Sequence, residues 1–149
     1  MKYHNDMKIF IVGGGEIGRS LAVQLSRDGY ELTMIDKEES VVSNISNSVD
    51  VISYQGNGAS YAVLKNLNAN EADIFIAVTN SDELNILSCF TAHMLGAKHT
   101  IARIRDVDYA TQNRFYKNKL GLSMIINPEL ATAMEIYRLL RFPLATRVE

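Results

Sequence analysis

Ile9-Phe-Ile-Val12 runs straight into Gly13-Gly14-Gly15-Glu16-Ile17-Gly18, and this junction restricts the fold more than any other stretch of the chain. Four apolar β-formers read as a buried strand, and the pattern Gly13-x-Gly15-x-x-Gly18 reads as a tight turn opening a helix. A turn of this kind removes side chains so that backbone N–H groups at a helix N-terminus can approach a phosphate, where the helix dipole also favours negative charge. A nucleotide or dinucleotide site is the expectation. Glycines in this order also form plain turns, so the surrounding pattern has to carry the claim.

That pattern is an alternation of strands and helices. Ile17, Leu21, Ala22 and Leu25 recur at helical spacing up to a stop at Gly29. A strand follows over 31–36, a polar helix over 37–47 and a strand over 49–54. Gly56-Asn57-Gly58 breaks the chain before a short helix at 61–67, and 72–79 is apolar enough for a strand buried on both faces. Asn80 or Ser81 caps a long helix ending at Gly96. A fifth strand over 99–104, a helix over 108–119 and a sixth strand over 122–126 complete the alternation, and Asn127-Pro128-Glu129 starts a last helix. Parallel neighbours need helical crossovers, so the expected fold is a Rossmann-like, doubly wound α/β sheet in the order 3-2-1-4-5-6, helices on both faces. Its ligand site lies outside the carboxyl ends of strands 1 and 4, where the order reverses.

Composition narrows the function classes. With 149 residues the chain fits one domain, expected over 7–142 between a leader at 1–6 and a tail at 143–149. Fifteen basic against 17 acidic residues leave a net charge of −2, which gives no basic field for nucleic acid or an anionic membrane. No apolar run reaches the roughly 18 residues of a membrane span, so a soluble, cytoplasmic protein without direct membrane insertion is expected. The only cysteine, Cys89, excludes an intramolecular disulfide and sits in an apolar helical run as an inert thiol.

Asp36 ends the second strand 18 residues after Gly18, where a carboxylate reaches the hydroxyls of an adenosine ribose and repels a 2′-phosphate. NAD(H) or an adenine nucleotide is therefore favoured over NADP(H); the plainer alternative is a turn aspartate ahead of Lys37. Asn57 and Gly58 either meet the adenine end or form an ordinary turn. Thr79 and Asn80 face the glycine loop from strand 4, where they can contact phosphates or a second ribose while also capping a helix. Tyr61 and Lys65 match the Tyr-x-x-x-Lys pattern of some dehydrogenases, but in a short helix and without the companion glycines of those enzymes. His4, His93 and His99 form no acid–base or metal cluster. Binding without turnover is the expectation, with no catalytic residue and no metal; the competing reading is the cofactor-binding part of an NAD-dependent oxidoreductase.

These residues together resemble the regulator-of-potassium-conductance, or KTN, domain at the N-terminus of Trk-type potassium-uptake regulators. The resemblance rests on the first strand with its glycines, Asp36, Gly56-Asn57-Gly58, the stretch from Val78 to Asn85, Ala102-Arg103 and Ile126-Asn-Pro-Glu129. It implies a cytoplasmic ligand-sensing subunit that binds NAD(H) or AMP, ADP or ATP, assembles as homodimers within a ring, and biases a membrane potassium-translocating partner at the inner membrane. It also implies that Arg103 lies near phosphates or a domain interface and Glu129 where two nucleotide sites meet, although an exposed ion pair and a first-turn carboxylate explain them equally well. Some relatives carry arginine where this chain has Glu16, which weakens a triphosphate-specific mode. Family members also usually continue into further domains, so an excised domain is expected, the alternative being a single-domain member. The last helix is apolar around most of its circumference, which predicts a homodimer contact or a following domain; the alternative is packing within its own chain.

Overall fold

The computed structural model describes residues 6–127 together with 137, 138, 140 and 141. Six strands, β1 (Lys8–Val12), β2 (Glu31–Asp36), β3 (Ile52–Gln55), β4 (Ile74–Ala77), β5 (His99–Arg103) and β6 (Met124–Ile126), form one sheet in the order β3-β2-β1-β4-β5-β6. Every adjacent pair is parallel, as the alternation predicts. The crossovers are α1 (Glu16–Arg27), α2 (Glu39–Ser48), α3 (Tyr61–Asn66), α4 (Asp82–Leu95), α5 (Val107–Ala110) and α6 (Asn113–Lys119), with a 3-10 turn at Ala69–Glu71 before β4.

Side-chain alternation along the central strands builds two cores. Ile9 and Ile11 of β1 face a cluster with Leu21 and Leu25 of α1, Met34 and Ile45, whereas Phe10 and Val12 face one with Leu64, Phe75, Cys89 and Ala92. Phe10 and Phe75 stack on neighbouring strands with ring centroids 6.1 Å apart. Covering both faces explains why β4 is buried at every position and carries no polar residue.

Several boundaries differ from the sequence expectation. The helix expected over 108–119 is two helices, because Thr111 and Gln112 end one and start the other. The interruption lets Tyr109 and Tyr116 meet edge to face at 6.2 Å, whereas residues seven apart in one continuous helix are separated by about 10.5 Å of axial rise. The third strand starts at Ile52 instead of residue 49, since the Val49 N–H is taken by the Ile45 carbonyl as the cap of α2. Strands four and six are likewise shorter than expected, at Ile74–Ala77 and Met124–Ile126.

In the expected last helix, Tyr137 and Leu140 are buried in the same core as Leu25 and Tyr30, and the Tyr137 hydroxyl donates to the Asp28 carboxylate. At those two positions the packing is within the chain. Glu129 and the other positions of that helix apart from 137, 138, 140 and 141 lie outside the described residues, as do His4 and all of the expected leader except Asp6.

Candidate functional site

The reversal of strand order between β1 and β4 opens a cleft of about 970 Å³ at their carboxyl ends. Its floor is the end of β1. Gly13 adopts φ +106°, and a Cβ there would stand 3.0 Å from the Thr79 nitrogen, so the turn closes only without a side chain. Gly18, in the first turn of α1, has the Gly13 carbonyl 1.8 Å from where its Cβ would be, which lets the helix pack directly on the turn. Neither Gly18 nor Gly14 lines the cleft. Gly14 is buried under Val41 and Asp36.

Gly15 is different. It caps α1 in an extended conformation, φ −74° and ψ −160°, makes no side-chain cap and faces space in which an added Cβ would meet nothing within 4 Å. Among the described residues no contact requires glycine at this position. A ligand approaching the N-terminus of α1 would use the space that a side chain here would occupy, so the cradle fits a phosphate-bearing group. By contrast, α3 and α4 have their first-turn amides capped by Ser60 and Ser81. Ser81, not Asn80, is therefore the cap of α4.

Asp36 stands on the other side of the turn. One carboxylate oxygen accepts the Gly14 N–H at 2.8 Å and the other accepts the Glu38 N–H at 2.9 Å, so the turn role is realised. The same half-buried carboxylate also lines the cleft beside Lys37 and Glu38. Asn57 likewise has both features: its Oδ1 accepts the Ala59 N–H at 2.9 Å, and it lines the cleft with Gly56 and Gly58. Gly58 is tightly enclosed, with Val12 Cγ1 2.3 Å from where a Cβ would be.

Thr79, Asn80 and Arg103 form the wall opposite Asp36. The Arg103 guanidinium donates through one nitrogen to the Thr79 carbonyl at 3.0 Å and to Asn80 Oδ1 at 3.2 Å, while its buried Nε has no hydrogen-bond partner. Burial, and next the neighbouring Arg105 charge, hold this guanidinium below its ordinary range, with Asp82 acting in the opposite direction. An arginine has no neutral form to retreat to near pH 7, so the remaining donors suit an anion. The cleft thus carries Glu16, Asp36 and Glu38 against Lys37 and Arg103, with apolar walls from Ile35, Val41 and Leu84.

Gly13, Gly15, Glu16, Ile17, Asp36, Lys37, Asn57, Gly58, Thr79, Asn80 and Arg103 therefore converge on one cleft. Tyr61 and Lys65 do not: they sit against each other, Nζ 5.7 Å from the ring centre, outside the lining. Cys89 is fully buried and donates to the Ile101 carbonyl at 3.4 Å, and burial pushes its thiol far up, which keeps it protonated. Among the described residues no group of three or more His, Cys, Asp or Glu is placed to hold a metal ion, and no helix is long and apolar enough to cross a membrane.

Sequence reasoning singled out no role for α4 beyond its cap, yet this helix ties the rim together. Asp82 accepts the Arg105 N–H through both oxygens at 3.1 Å and the Asp106 N–H at 2.7 Å, and the Ser88 hydroxyl donates to the Gly58 carbonyl at 2.5 Å. The available signal was a polar set at positions 82, 85 and 88, spaced by three along one face of the helix.

Residues 9–128 match the model of the TrkA-N domain family. A protein named Trk system potassium uptake protein TrkA homolog, from Archaeoglobus fulgidus, is 36% identical over 142 residues, covering 95% of this chain. The chain spans 32% of that relative's length. Among solved structures, the TrkA-N domain of the inner membrane protein ybaL from Escherichia coli superposes with a TM-score of 0.73 at 19% identity, covering 95% of this chain and 100% of the other. The GsuK channel bound to NAD superposes with a TM-score of 0.69 at 18% identity, covering 85% of this chain and 22% of the other.

Proposed function

This chain belongs to the TrkA-N domain family, and from that premise we propose that it is a regulatory nucleotide-binding domain of a potassium-uptake system, with NAD(H) or an adenine nucleotide as its ligand. The observation that carries the reading is Gly15: the uncapped start of α1 leaves room for a phosphate that no described residue fills. Asp36 supplies the opposite end of the site, where its carboxylate oxygens can accept ribose hydroxyls and disfavour a 2′-phosphate. Arg103 supplies charge for the phosphates from the far wall. The three cleft carboxylates make a compact or well-shielded phosphate group a better fit than an extended triphosphate.

Control follows from linkage. A ligand shifts an equilibrium only by binding two arrangements unequally, so a nucleotide that favours one arrangement of paired domains favours one state of a membrane potassium-translocating partner. A coupling of about 1–3 kcal/mol is sufficient for that. In this reading the domain works in the cytoplasm as a homodimer or within a ring, beside the membrane through its partner, and turns no substrate over. Calorimetric titration with NAD, NADH, NADP, AMP, ADP and ATP tests it. Binding of NADH or an adenine nucleotide, with NADP weaker, is expected; no binding by any of the six, or hydride transfer to a substrate at a catalytic rate, contradicts it.

A further inference from the structure

We propose that Asn85, which is absent from the cleft lining, is the positioning residue that builds the phosphate-facing wall of the cleft before a ligand arrives. Its side chain is completely buried in α4. An amide offers two donors and two acceptor positions, and here all four are used. Oδ1 accepts the Thr79 N–H at 2.9 Å and the Thr79 hydroxyl at 2.6 Å. Nδ2 donates to the Thr79 carbonyl at 3.1 Å and to the Arg103 carbonyl at 2.8 Å.

The two residues it grips lie at the carboxyl ends of different strands. Thr79 follows β4 and Arg103 ends β5, and the Arg103 guanidinium closes the triangle by donating to the same Thr79 carbonyl at 3.0 Å. Asn85 thereby fixes the main chain from which Arg103 projects and the carbonyl on which its guanidinium rests. No shorter or purely accepting side chain does both. Serine is too short to span the two carbonyls, and aspartate would turn a carboxylate toward the Thr79 and Arg103 carbonyls in place of the donor. An arginine whose position is already fixed by its own chain loses less freedom when an anion binds, which is the physical content of preorganisation.

This inference rests on the nucleotide-binding reading, and the experiment separates the two. AMP and NADH affinities are measured for the wild type, Asn85→Ser, Arg103→Ala and the double variant, with folding followed by circular dichroism and thermal melting. Asn85→Asp is carried through the same cycle in case the serine variant does not fold. Loss of the two donations is expected to weaken AMP and NADH about tenfold in the wild-type background. In the Arg103→Ala background the same substitution is expected to cost markedly less, since much of its effect passes through that arginine. A merely structural role would weaken both backgrounds equally. Equal losses, or unchanged affinity in folded Asn85 variants, overturn the assignment of Asn85 alone. A wild type that binds neither ligand overturns the nucleotide reading and this inference with it.

Discussion

The Asp36 carboxylate accepts the Gly14 N–H at 2.8 Å, joining the end of β2 to the glycine turn across 22 residues. The same group also holds the Glu38 N–H at 2.9 Å and lines the cleft. Asp36→Ala is therefore expected to act twice. Hydrogen bonds to a charged group contribute about 1.5–3 kcal/mol, so nucleotide affinity should fall roughly ten- to a hundredfold. Stability should fall as well, by about 1–2 kcal/mol, because two amides lose their acceptor. Calorimetry of binding together with a denaturant titration separates the losses; unchanged affinity in a folded variant would remove Asp36 from the ligand site.

The glycines of the turn should separate by stability. Gly18→Ala places a Cβ 1.8 Å from the Gly13 carbonyl, a backbone atom that cannot yield without moving the turn. A loss of about 3 kcal/mol or more is expected, at or beyond the upper end of ordinary overpacking. Gly15→Ala meets nothing within 4 Å and should cost only the few tenths of a kcal/mol to about 1 kcal/mol of a poorer helix cap. Thermal melts of the two variants side by side check this, and equal destabilisation would contradict it.

Asp82 offers a test of the rim. It holds the Arg105 and Asp106 amides where β5 turns into α5. In Asp82→Ala these amides lose their acceptor, at a cost of about 1–3 kcal/mol. Hydrogen exchange of the two amides should accelerate more than that of the central strands; protection that stays unchanged would assign their order to something other than Asp82.

Cys89 gives the pH dependence. Burial raises its thiol pKa in the folded chain, so the contribution is fully present below the unfolded value of about 8.5 and is lost as pH rises above it. Above that pH the unfolded chain ionises while the folded one stays protonated. Wild-type stability should therefore fall by about 1.4 kcal/mol per pH unit more steeply than that of Cys89→Ala, whatever the offset from the deleted sulfur. Unfolding free energies from pH 7 to 10 for both proteins measure the difference. Parallel curves would mean that the native thiol ionises as readily as the unfolded one.

Much of the fold was legible because its signals are local. The run Ile9 to Val12 entering glycines, the apolar β4 and the position of Asp36 at the end of β2 each bind a short pattern to one geometry, and parallel pairing leaves few ways to order the strands. The break between α5 and α6 was not legible: no glycine or proline marks Thr111 and Gln112, and tyrosine packing from both sides of the break accompanies it. The role of Asn85 was hidden for a different reason. An asparagine inside a helix reads as a solvated position until tertiary structure brings Thr79 and Arg103, six and 18 residues away, to opposite ends of its amide. Gly14 and Gly18 were placed among the ligand-binding residues by spacing, although one serves Asp36 and Val41 and the other serves helix packing.

The central claim is that the space at Gly15 belongs to a nucleotide phosphate. Titration of AMP and NADH into the wild type and Gly15→Val, at matched folding, tests it most directly. Binding by the wild type and none by the variant is expected, with the valine occupying the cradle and the fold retained. Equal affinity in both proteins, or no binding by the wild type, would contradict it.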